Sequence, residues 1–119
     1  MSERPCYVYA IAVLQSGVPC KPVKIGMSYQ PMARLRDLQV GSPVPLVIVG
    51  MLLTPDRSVA RDAERFIHTC HPDQSLHGEW LNISPWYAVS MLGQFVGDKI
   101  DERFGAPPRS NPFDGETQL

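Results

Sequence analysis

The chain of 119 residues contains no apolar run near the roughly 18 residues a membrane-spanning helix requires. Its three cysteines, Cys6, Cys20 and Cys70, are odd in number and form no CxxC pair. That argues against a disulfide scaffold and against a structural zinc site. No HExxH run is present, there are no internal repeats, and the opening "MSERPC" has none of the features of a signal peptide. A reducing cytoplasmic setting is expected. The chain also lacks a strong charge of either sign, since its net charge is −1. A bulk nucleic-acid signal is therefore absent, because domains that hold nucleic acid are often basic.

The distribution of charge is more informative than its sum. Residues 1–60 carry six Lys/Arg against three Asp/Glu, whereas residues 61–119 carry five against nine. The length suits one domain with one core. Residues 1–104 are expected to form it, with the Pro-rich, polar stretch 105–119 as a flexible tail.

"CYVYAIAVLQ" (6–15) is apolar on both alternating faces, which predicts a central strand covered on two sides. "SGVPCKP" (16–22) reads as a turn, and "VKIGMS" (23–28) as the returning strand of a hairpin. A first helix starts near Ser28–Pro31, with Met32, Leu35 and Leu38 as its buried stripe and Gly41 as its stop. "LVIVGMLL" (46–53) is a third strand. Thr54-Pro55 and Ser84-Pro85 each look like a cap followed by proline at the first helical position. The second helix would bury Val59, Ala60, Ala63, Phe66, Ile67 and Cys70, and the third Tyr87, Met91, Phe95 and Ile100. The expected fold is α+β, in the order β-β-α-β-α-α, with a small, mostly antiparallel three-stranded sheet flanked by helices.

Groups capable of chemistry gather in two places. On the second helix, Glu64, His68 and His71 fall along one border of the apolar face with Arg61 beside them. A carboxylate at such a rim can hold Mg²⁺ while the ion keeps most of its waters. On spacing alone, a solvated Glu64–His68 pair on an ordinary polar helix border is the favoured reading. In the hairpin and first helix, Tyr9 and Lys24 can share one sheet face, with Arg34 over the same surface. A core needs neither cation, whereas a phosphate suits the planar donor fork of arginine. Taken alone, the tyrosines read as core packing, and Arg36 and Arg57 as surface charge. In "HGEWLNI" (77–83) Trp80 reads as a core anchor and Glu79 as a structural partner for an arginine or a second acid. Asn82 reads as a phosphate donor or a turn cap.

Taken in order, these pieces resemble the GIY-YIG nuclease superfamily. Tyr7-Val8-Tyr9 stands where the GIY strand would be, and Lys24-Ile25-Gly26 where YIG would be. Arg34-Leu35, Leu38-Gln39, the set Ala60, Glu64, Ile67 and His68, and Gly78-Glu79-Trp80 are similar to a phage and bacterial branch with KIG in place of YIG. The resemblance implies hydrolysis of a DNA phosphodiester with Mg²⁺ or Mn²⁺. Glu64 would hold the ion, Arg34 would face the phosphoryl oxygens, and Tyr9, Lys24 and His68 would complete the catalytic set. Lys24, Arg34 and Arg36 would contact DNA. With a tyrosine replaced, Lys24 is expected to clamp phosphate, and Tyr9 to orient water. The runner-up is a DNA-binding module of the same fold without cleavage. Either would need a dimer or a partner protein for tight binding, since the modest charge limits phosphate neutralisation.

Overall fold

A computed structural model describes residues 4–105, so most of the expected tail lies outside the described residues. The elements are β1 (Cys6–Gln15), β2 (Val18–Ser28), α1 (Pro31–Val40), β3 (Leu46–Thr54), α2 (Arg57–Cys70), β4 (Trp80–Leu81) and α3 (Pro85–Phe104). The sheet order is β3-β1-β2-β4 and every pairing is antiparallel. The expected α+β order is present, with β4 as an addition. Two residues are too few for any periodicity in sequence. That strand exists because Val23 and Lys24 offer an edge to Leu81 and Trp80.

β1 is central because both its faces are apolar. Val8, Ala10 and Ala12, with Val23 and Ile25 of β2, pack beneath Ala60, Ala63 and Ile67 of α2 and Ala88, Leu92 and Val96 of α3. On the other face Tyr9 and Ile11 pack with Leu35 and Leu38 of α1 and with Trp80. The small residues of α2 let the helix approach the sheet closely, while its flank carries Phe66, stacked on Phe95 at 4.6 Å between ring centroids.

Several expected details are corrected. The hairpin turn is only Ser16-Gly17, both with positive φ (53° and 77°), and not the whole of 16–22. Strand pairing resumes at Val18, and a register shift at Ala12/Val13 takes up the irregular segment around Lys21-Pro22. Prolines fit here because β4 pairs only with Val23 and Lys24, leaving this end of β2 on an edge. α2 is capped by Asp56, whose carboxylate accepts from the Val59 amide at 3.1 Å, not by Thr54. Thr54 instead ends β3, its buried hydroxyl lying 2.7 Å from the carbonyl of Cys6 and 2.8 Å from that of Asp56.

Helical spacing identified the stripes better than their depth. Met32 is 51% exposed, and Tyr87 and Cys70 are also exposed. The centre of the α3 stripe is Ala88, Leu92 and Val96, with Met91, Phe95 and Ile100 packed partly against it. Periodicity says which side chains share a stripe. How far that stripe reaches a partner depends on where the helix crosses the sheet.

Candidate active site

The site is built outward from Tyr9. Its position on β1 turns it to the α1 side of the sheet, where it is 2% exposed. Directly opposite on β2 is Gly26. A Cβ placed on Gly26 would lie 2.6 Å from Cζ of Tyr9 and would collide with its hydroxyl oxygen. The glycine is thus required by the ring lying across it, and its φ is not the reason.

Ile11 pairs with Lys24 two positions along, so Tyr9 and Lys24 share a face as diagonal neighbours. Lys24 is 8% exposed. Its ammonium is 3.0 Å from Oε1 of Glu79 and 5.8 Å from the centre of the Trp80 ring. An unpaired ammonium in such a place would be costly, so the ion pair and the indole face make the burial tolerable. Trp80 of β4 and Glu79 just before it provide the two contacts, since Lys24 and Trp80 are register partners.

Arg34 sits on α1 as an exposed residue. Its positive charge acts on the Tyr9 hydroxyl and favours the ionised phenol. Burial nevertheless pushes the Tyr9 phenol above its ordinary range, with Arg34 opposing and Glu79 and Glu64 adding to the rise. The half-buried carboxyl of Glu64 is raised as well, first by burial and then by Glu79, against Lys24, Arg61 and Arg65. α2 packs on the opposite face of the sheet from Tyr9, yet Glu64 feels the charge of Lys24 and its own charge acts on Tyr9. The structure therefore brings Tyr9, Lys24, Arg34 and Glu64 into one electrostatic neighbourhood and adds Glu79 to it.

The histidines separate. His68 follows Glu64 by one turn, and its Nε2 is buried with no hydrogen-bond partner among the described residues. His71, expected on the same border, has left the helix: it is the C-cap of α2, with φ −131° and ψ 55°. Its ring joins the Ile67 carbonyl and the Tyr87 hydroxyl, both at 2.8 Å, and so ties α2 to the start of α3. Arg36 is exposed and stands two residues from Arg34, which on a helix directs it away from the Tyr9 surface.

Among the described residues no three His, Cys, Asp or Glu side chains form a group able to hold a metal. The donors present are hard carboxylate oxygens, Glu64 with Glu79 near it. That set does not fit zinc, which takes three or four protein ligands. It fits a cation of the Mg²⁺ kind, which binds through one or two carboxylates and keeps several waters.

Comparison with known families identifies the chain. Residues 6–96 match the T5orf172 domain. The chain belongs to the T5orf172 domain family. This corrects the GIY-YIG resemblance, since the matching family is a different one and no GIY-YIG family matches. The reason for the misassignment is physical: a tyrosine ring over a strand glycine, followed by a helix, is a packing solution that short motifs cannot attribute to one family. No curated protein and no solved structure matches the chain.

Of the charged groups around the T5orf172 site, Arg4 carries no signal in the sequence. Glu79 is marked there as an arginine's partner or a second acid, whereas its partner is Lys24, which only the β2–β4 register shows. Arg4 lies before the first strand, and its guanidinium is 4.1 Å from the centre of the Tyr29 ring.

Proposed function

We propose that this T5orf172 domain acts on DNA as a metal-dependent endonuclease, hydrolysing phosphodiester bonds. The observation that carries the reading is Tyr9, a buried phenol on which the opposite charges of Arg34 and Glu64 both act. Family membership supports a DNA-related function.

In this reading Arg34 receives the phosphate, its fork donating to two oxygens and countering the charge that grows on them during attack. Lys24 contributes a second positive charge from a position that Glu79 holds. It acts as a clamp. Tyr9 keeps its proton at neutral pH because its phenol is raised further, so it orients water or a phosphoryl oxygen through its O–H. Glu64 holds the Mg²⁺ or Mn²⁺ ion, which when bound supplies Lewis-acid polarisation of the phosphate. His68, one turn along, has a free Nε2 lone pair or N–H with which to exchange a proton. Arg36 is left as surface charge.

Plasmid nicking with Mg²⁺ or Mn²⁺ tests this, using the wild type, Glu64→Ala and Arg34→Ala. Cleavage is expected in the wild type and is expected to disappear in both variants. DNA that is bound but uncut with either metal would leave a binding module in place of an enzyme.

A further inference from the structure

Arg34 also lines a second space, at the start of α1. A cleft of about 360 Å³ lies at the junction of β2 and α1, lined by Arg4, Ser28, Tyr29, Gln30, Arg34 and Asp37 among others. We infer that this cleft is a second phosphate-binding subsite, which holds a DNA phosphate neighbouring the one placed under Arg34. The inference rests on DNA as the ligand and adds residues to that reading.

The cleft is assembled by strand register. Tyr7 pairs with Ser28, so the chain entering β1 and the chain leaving β2 emerge side by side, and this sets Arg4 against Tyr29. A guanidinium stacked on an aromatic ring has its plane held while its edge N–H groups stay open to an acceptor. Among the described residues neither Arg4 nor Arg34 is ion-paired to a carboxylate. Asp37 is the acidic member, so the two arginines leave one positive charge in excess. Ser28 adds a directed donor. Its Oγ already accepts from the Gln30 amide at 2.9 Å, which leaves the hydroxyl proton for the cleft.

These groups suit a phosphodiester better than a metal or an apolar ligand: two arginine forks and a hydroxyl donor border one open cleft. Arg34 belongs to both the cleft and the Tyr9 surface. A single strand backbone laid over Arg34 would therefore place one phosphate at Tyr9 and the next in the cleft. Arg4 is then a DNA-contacting residue in a chain whose net charge gives little general attraction.

Fluorescence anisotropy with the full chain and a labelled duplex tests the subsite across a series of salt concentrations. Arg4→Gln is expected to weaken binding roughly tenfold and to reduce the salt slope by about one. Tyr29→Ala is expected to do the same, whereas Tyr29→Phe retains the stack and the affinity. In a duplex carrying single methylphosphonates, one position is expected to weaken wild-type binding but not that of Arg4→Gln, because both changes delete the same contact. If Arg4→Gln binds as tightly as the wild type with the same salt slope, the subsite is overturned while the hydrolysis at Tyr9 stands. If the wild type binds with the expected Arg4 dependence but never cuts, the subsite stands and the hydrolysis reading fails.

Discussion

The ring of Tyr9 occupies the space that a side chain at Gly26 would need. The two are direct partners across the β1–β2 ladder, and Cζ of the tyrosine would lie 2.6 Å from a Cβ at position 26. Tyr9 is 2% exposed and cannot move aside into solvent. Gly26→Ala is therefore expected to cost about 1–3 kcal/mol, the usual penalty of overpacking. It is also expected to displace the hydroxyl from Arg34 and so to depress DNA nicking beyond what the lost stability explains. Urea unfolding and nicking rates on the same preparation check both parts; a variant as stable as the wild type would contradict the packing account.

The coupling of Glu64 to its neighbours sets the direction of a pH effect. Burial raises its carboxyl first and Glu79 raises it further, while Lys24 opposes them. Ion binding needs the carboxylate, so the acid limb of the activity profile should follow Glu64. Glu79→Gln removes a raising influence and is expected to move that limb to lower pH. Lys24→Met removes a lowering influence and is expected to move it to higher pH, with a larger loss of rate than Lys24→Arg. Profiles at fixed Mg²⁺ decide the matter, and limbs moving the same way in Glu79→Gln and Lys24→Met would refute it.

Glu64 also links pH to stability in the metal-free protein. Its carboxyl titrates higher in the folded chain than in the unfolded one. Between those two values the folded state holds more proton, so stability falls as pH rises through the window. Glu64→Gln is expected to flatten this dependence and to be the more stable form at neutral pH without metal. Added Mg²⁺ should raise the melting temperature of the wild type and leave Glu64→Gln unchanged. Thermal unfolding across pH, with and without the ion, reads both effects.

Asp56 joins two helices at one carboxylate. One oxygen caps α2 through the Val59 amide at 3.1 Å, and the other accepts from Arg103 near the end of α3. Asp56→Ala loses the cap, worth about 1 kcal/mol, and a hydrogen bond to a charged group, worth about 1.5–3 kcal/mol. A loss of roughly 2–4 kcal/mol is expected on these grounds. Asp56→Asn, which keeps an acceptor for the cap, should lose about half as much. Denaturant midpoints measure the difference.

The double-sided apolar alternation of residues 6–15 was enough to place β1 at the centre, because only a strand covered on both faces can use such a pattern. Local chemistry likewise marked the helices, since proline-led starts and apolar spacing act within a few residues. It also marked Lys24 and Arg34 as cations too many for a core around one strand-to-helix junction. The same local signals put the second helix cap at Thr54 and His71 on the helix border. Both failed where the backbone left helical geometry and a more distant partner won. Contacts such as Lys24 with Glu79, Arg4 with Tyr29 and Asp56 with Arg103 depend on strand register and helix crossing. A linear pattern records which side chains alternate or recur, and it holds no information on which remote segment arrives opposite them. Register and crossing are settled by the whole core packing at once, and they set which charges share the neighbourhood of Tyr9.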